Sequence, residues 1–126
     1  MSILIETRQG GRAFEEHFPL GDTELVSSLA KLDGRNTTVL TIAVRGNELL
    51  IGGGAGMYTV SAFMNEDTWF ELVGDDQAAG EVSMVIGGQR APQPVRYILD
   101  GERVLKAARF FSRAGNLDEE ESWEGP

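Results

Sequence analysis

The sequence predicts an α+β fold: a single domain with a meandering antiparallel sheet of five or six strands and two main amphipathic helices. Three observations lead there. Many short segments alternate apolar and polar residues and are divided by turn-forming residues, the mark of strands with one buried face. Five or six of them follow one another at the spacing of a meander. Two other segments, "GDTELVSSLAKLDG" and "DGERVLKAARFFSRAG", carry apolar residues at helical period.

Taken in order, "SILIETR" reads as a strand from Ser2 to about Arg8. In "RAFEEHFPL", Ala13, Phe14 and Phe18 can face a core from a second strand, and Pro19 blocks continuation of a helix. The first helix follows: Leu25, Val26, Leu29 and Leu32 form its apolar stripe, Asp22 or Thr23 can cap its start, and Gly34 can end it. "NTTVLTIAVR" and "ELLIGGG", joined at "GN", predict a hairpin of strands 36–45 and 48–53. "MYTVSAF", "TWFELVG" and "EVSMVIGG" continue the series, with "DDQAAG" as a break, and "VRYIL" reads as a short further strand. The second helix has Asp100 as its cap, an apolar face of Val104, Leu105, Ala107, Ala108 and Phe111, and Gly115 as its stop. Only residues 116–126 change composition, into an acidic C-terminal tail.

A chain of 126 residues has the size of one domain and needs one hydrophobic core. It has no cysteine, which excludes disulfides and thiolate metal sites and fits a reducing cytoplasm. "MSILIETRQG" lacks a basic region followed by an apolar one, and no apolar run approaches the roughly 18 residues that span a bilayer. These features predict an unexported, cytoplasmic protein without a membrane partner. Twenty Asp and Glu against eleven Lys and Arg give a formal charge of -9. That field repels nucleic acid and anionic membranes, so direct nucleic-acid binding is not expected, and it draws basic partners inward.

The residues that suggest catalysis do not assemble into a motif. "GGGAG", Gly52 to Gly56, is followed by the strand-like "MYTVSA" and not by a helix, and it lacks the lysine of a phosphate loop. A tight or close-approach turn explains it better. His17 beside Glu15 and Glu16 is the sole histidine, too few preferred ligands for zinc. The serines have no G-x-S-x-G setting, and Glu66, Asp67, Asp75 and Asp76 follow no calcium-loop pattern. The H-x-E and P-C-x-x-C signature of zinc deaminases is absent. No metal, cofactor or catalytic group is expected.

From "LDGRNTTVLTIAVRGNELLIGGGAGMYTVSAF" through "VSMVIGGQRAPQPVRYIL" and "GERVLKAARFFSRAG" to "NLDEEESWEGP", the chain resembles the Imm1 family of immunity proteins from bacterial polymorphic toxin systems. The resemblance covers roughly residues 22–126. It rests on Gly87, Gly88 and Gln89 at a strand end, a return through Pro92 and Pro94, an A-x-x-F-F helix and the tail tryptophan, Trp123. It implies a non-enzymatic inhibitor that binds a cognate toxin domain, commonly a nucleic-acid deaminase, and the negative charge adds the expectation that this domain has a basic cleft.

Physically, Gly87 and Gly88 permit positive φ or close approach, and Pro92 and Pro94 stiffen the return, so these residues are expected to shape the fold. Partner contacts are expected from Glu66, Asp67, Asp75 and Asp76 and from the tail acids Asp118, Glu119, Glu120 and Glu121. Trp123 is expected to pack on the sheet or on the helix of Phe110 and Phe111, fixing those tail acids as a negative patch, or else to anchor the interface itself. Two other readings stay open. A small-molecule-binding domain or enzyme would show a deep pocket around Tyr58, Trp69 and Gln89, and a scaffold module would show a large apolar self-interface.

Overall fold

The computed structural model describes residues 1–125. It is an α+β domain with two α-helices and two antiparallel sheets. The strands are β1 (Ser2–Gln9), β2 (Arg12–Pro19), β3 (Thr37–Val44), β4 (Asn47–Gly54), β5 (Met57–Met64), β6 (Thr68–Leu72), β7 (Glu81–Ile86), β8 (Gln89–Pro94) and β9 (Trp123–Glu124). The helices are α1 (Asp22–Ala30) and α2 (Gly101–Ala114). The main sheet has seven strands in the order β2-β1-β3-β4-β5-β6-β9, and β7 and β8 form a separate ribbon.

The expected count of five or six strands falls short because the N-terminal hairpin adds two strands to one edge and the tail adds one to the other. Meanwhile β7 leaves the meander to pair with β8, the proline-bearing return. "VRYIL" is not a strand. Val95–Tyr97 makes one 3-10 turn after Pro94, and its backbone is already used: the Gly74 and Asp75 amides donate to Arg96 O, and the Val95 amide to Gly80 O. Only Leu99 bridges to the sheet, at Tyr58.

Both helices cover the same face of the main sheet. Register places Ile3 opposite Ile42, Leu40 opposite Ile51, Leu49 opposite Ala62 and Ala62 opposite Phe70, so one face is apolar across five strands. Leu25 and Leu32 from α1 and the segment after it, with Val104, Ala107, Ala108 and Phe111 from α2, close this core. Each fully buried Leu, Ile or Phe side chain there contributes roughly 1.5–3 kcal/mol. Val26, expected inside, faces solvent, because the short α1 meets the sheet along the line of Leu25, Ser28 and Leu32. Ala13 and Phe14 are exposed too: β2 is an edge strand that pairs only with β1, and Phe18 alone of the expected trio turns toward the core.

The helix ends follow local chemistry to different degrees. Asp100 caps α2 by accepting from the Arg103 amide at 2.9 Å, and Gly115 ends it in the left-handed conformation. For α1 the cap position is Gly21, with no side-chain cap; Asp22 instead pairs with Arg109 of α2 at 2.8 Å. Nor does Gly34 end α1, which stops at Ala30. Gly34 lies in the next turn, where Asp33 Oδ1 accepts from the amides of Arg35, Asn36 and Thr37.

The "GGGAG" stretch is a close-approach site. A Cβ on Gly52 would meet Ile86 of β7 at 3.0 Å, and one on Gly54 would collide with the backbone of Leu32 and Gly34. The missing side chains let the β7–β8 ribbon and the loop after α1 lie directly on β4. At the ribbon's tip Gly87 and Gly88 both have positive φ, the Gly87 amide donates to Thr38 Oγ1 at 2.9 Å, and the Arg8 side chain fills the space beside Gly88.

Candidate protein-binding surface

The tail is tied down residue by residue. After Gly115, whose carbonyl accepts from Asn47 Nδ2 at 3.0 Å, Leu117 packs on the core. Asp118 is buried; its side chain accepts from the Glu120 amide at 3.0 Å and its carbonyl accepts from Trp123 Nε1 at 3.0 Å. Trp123 then pairs with Leu72 as part of β9, and its half-buried ring rests on the helix side of the sheet.

Arg103 of α2 closes the arrangement. Its guanidinium donates to Gly74 O at 2.7 Å, to Val73 O at 3.0 Å and to Glu121 Oε2 at 2.8 Å. Arg96 pairs with Glu124 at 2.7 Å. The turn of Arg96, α2 and the tail thus converge on the end of β6, and nothing in the local sequence around Arg103 or Arg96 signals it.

This geometry sorts the expected contact residues. Asp118 and Glu121 turn inward, as a turn former and as the partner of Arg103, while Glu119 and Glu120 are exposed. Glu66 and Asp67 sit exposed in the β5–β6 turn, and Asp75 and Asp76 sit exposed just beyond the other end of β6. Asp75, Asp76 and Glu121 line one depression with Arg96 and Arg103. Asp75 and Asp76 thus meet the tail at one end of β6, while Glu66 and Asp67 lie at its other end and Glu119 and Glu120 line the groove beside α2 together with Lys106, Arg109 and Arg113. Gly87, Gly88 and Gln89 form the ribbon tip, and Pro92 and Pro94 lie on β8, opposite Ser83 and Glu81.

Tyr58, Trp69 and Gln89 do not share a pocket. Tyr58 packs against the core, Trp69 lies on the opposite face of the sheet and Gln89 is exposed at the ribbon tip. His17 is exposed on β2, 3.7 Å from Glu15. Among the described residues no three His, Cys, Asp or Glu lie close enough together to hold a metal ion, and no described helix is long and apolar enough to cross a membrane.

Sequence reasoning missed two surfaces. One is an open groove of about 1090 Å³ between α2 and the tail, floored by Leu105, Phe110 and Leu117. The other is the sheet face away from the helices. There Thr41, Leu50, Ser61 and Glu71 lie in register across four strands, beside the row of Glu48, Phe63 and Trp69. The β7–β8 ribbon covers only the Gly52 end of this face. A signal was present in the alternation of "TWFEL", whose outward positions are an aromatic and an acid.

Fold and surface define a class: an α+β domain with one helix-covered face, one largely open face and an ordered acidic tail. Comparison of the chain with models of protein families gave no match, and comparison with curated proteins gave none.

Proposed function

We propose that this protein is a non-enzymatic immunity protein that binds a cognate bacterial toxin in the cytoplasm and blocks its active-site cleft, the toxin being one that acts on nucleic acid, such as a deaminase. The observation that carries this reading is the ordered, acid-bearing tail, held beside the exposed Asp75 and Asp76 at the end of β6. Because Trp123 and Arg103 fix the tail, the backbone that carries Glu119 and Glu120 loses little conformational freedom when a partner arrives. A toxin that handles nucleic acid presents a basic cleft. A net negative charge and a fixed acidic tail speed encounter with such a cleft and put carboxylates where phosphates would sit. The resemblance to the Imm1 family supports the same role.

The test is titration calorimetry with the toxin domain encoded beside this gene, at low and high salt, with deamination or nuclease activity assayed on the same samples. One-to-one binding that abolishes activity and weakens as salt rises is the expected result. Tight binding indifferent to salt would keep the inhibitory role and remove its electrostatic basis. No binding would overturn the reading in favour of a scaffold or small-molecule-binding domain, for which the groove beside α2 is the place to look.

A further inference from the structure

The open face of the sheet offers a prepared contact point. Trp69 is 45% exposed, unusual for a tryptophan in a small domain. Its ring is nonetheless held still: Nε1 donates to Glu71 Oε1 at 2.9 Å, and Phe63 meets it edge-on with centroids 5.7 Å apart. Ser61 Oγ donates to the same Glu71 oxygen at 2.6 Å. Both bonds fall on Oε1, so Oε2 can accept from outside.

The ring borders a shallow depression of about 280 Å³ lined by Thr41, Glu48, Leu50, Ser61, Phe63 and Trp69. Its lining carries one carboxylate and no Lys or Arg, Glu71 stands beside it, and Glu66 and Asp67 lie in the turn that leads into β6. An indole face with fixed carboxylates beside it matches one group above others: an arginine guanidinium, which stacks on an aromatic plane and bonds a carboxylate along its edge. A lysine gains less from the flat stack. A second copy of this chain brings the same negative charge and is repelled.

We infer that this face is the anchoring part of the interface, with Trp69 at its centre, and that its occupant is an arginine-bearing segment of the partner protein. This rests on the immunity reading for the partner's identity, but the face and its chemistry are tested separately. The tail acids then serve encounter, while Trp69, Glu71 and Glu48 hold the bound partner.

Two measurements decide it. The first follows the indole N–H resonances of ¹⁵N-labelled protein, assigned with Trp69→Phe, during titration with an oligo-arginine peptide at low salt and with an uncharged Gly-Ser peptide as control. The Trp69 signal should shift saturably with the arginine peptide alone while Trp123 stays in place, and Glu71→Gln should weaken the effect. The second is calorimetry with the toxin domain. Trp69→Ala should raise Kd by about 30-fold or more, whereas Glu119→Gln with Glu120→Gln should raise it by about threefold or less.

A Trp69 signal that stays still while tail amides move would overturn the inference. So would Trp69→Ala binding the toxin as tightly as the unchanged protein, or a Trp69 shift that follows protein concentration without peptide, which marks self-association. If the unchanged protein fails to bind the toxin, the immunity reading falls, and the peptide titration still decides the face.

Discussion

Asp33 holds a turn through the amides of three following residues. Burial pushes its carboxyl pKa up, but the amides of Arg35, Asn36 and Thr37, all donating to Oδ1, outweigh this and hold it below the usual carboxylate value. A folded-state pKa below the unfolded one means stability that is complete above the unfolded value of about 3.9 and is lost as pH falls through the folded value. Asp33→Ala should therefore cost about 1 kcal/mol at neutral pH, its exposed position keeping the figure low. Urea unfolding followed into the acid range should show the variant losing less stability than the unchanged protein. Trp123 is a larger case: its ring packs on the core and its N–H reaches Asp118 O. Trp123→Ala should cost about 2 kcal/mol for a half-buried ring, and Trp123→Phe about half of that, read from the urea midpoint. An unchanged midpoint for Trp123→Ala would end the idea that this ring docks the tail.

Among the elements, α2 and the β3–β4 hairpin could be read directly from the sequence because their determinants are local. Asp100 and Gly115 bracket a helical stripe of Val104, Ala107, Ala108 and Phe111, and each cap does in space what its position suggests. By contrast, β9 could not be read. Two residues make no strand by themselves; Trp123 and Glu124 become one because β6 has a free edge and the Val73 amide reaches Ser122 O at 2.8 Å. Arg103→Met should expose this dependence. Losing the bonds to Val73 O, Gly74 O and Glu121 should speed amide hydrogen exchange at Val73 and across β9 at least about tenfold, with the slowest core amides of β3 and β4 much less affected. The "VRYIL" segment misled for the opposite reason: its β-branched pattern is real, but the loop at Gly74 and Asp75 had already taken the Arg96 carbonyl.

For the whole molecule, the formal charge of -9 sets the field that any partner meets on approach, and the arrangement of faces sets which surfaces are open to it. Association with a basic toxin domain should slow as salt rises, by stopped-flow mixing, while dissociation changes much less, because rim charges act mainly on approach. The β7–β8 ribbon controls how much of the open face stays free. Gly52→Leu would drive a side chain into Ile86, lifting the ribbon and costing about 1–3 kcal/mol, while leaving Trp69 in place. The candidate contact acids could be listed from the sequence, since Glu66, Asp67, Asp75 and Asp76 sit in turn-like stretches. Their placement could not, because it needs β6 to run between the two pairs and the tail to return beside the second.

By itself the sequence determined the local order of this protein: two helices, a succession of antiparallel strands, tight glycine turns and a strong negative charge, all set by neighbours a few residues apart. Tertiary structure decided which acids are free and which are used. Asp118 and Glu121 look like their neighbours Glu119 and Glu120 in the chain, yet one closes a turn and the other pairs with Arg103. Tertiary structure also put both helices on one face and left Trp69 on the other. Periodicity shows that a side of a strand is apolar, but only packing across strands shows which side is covered.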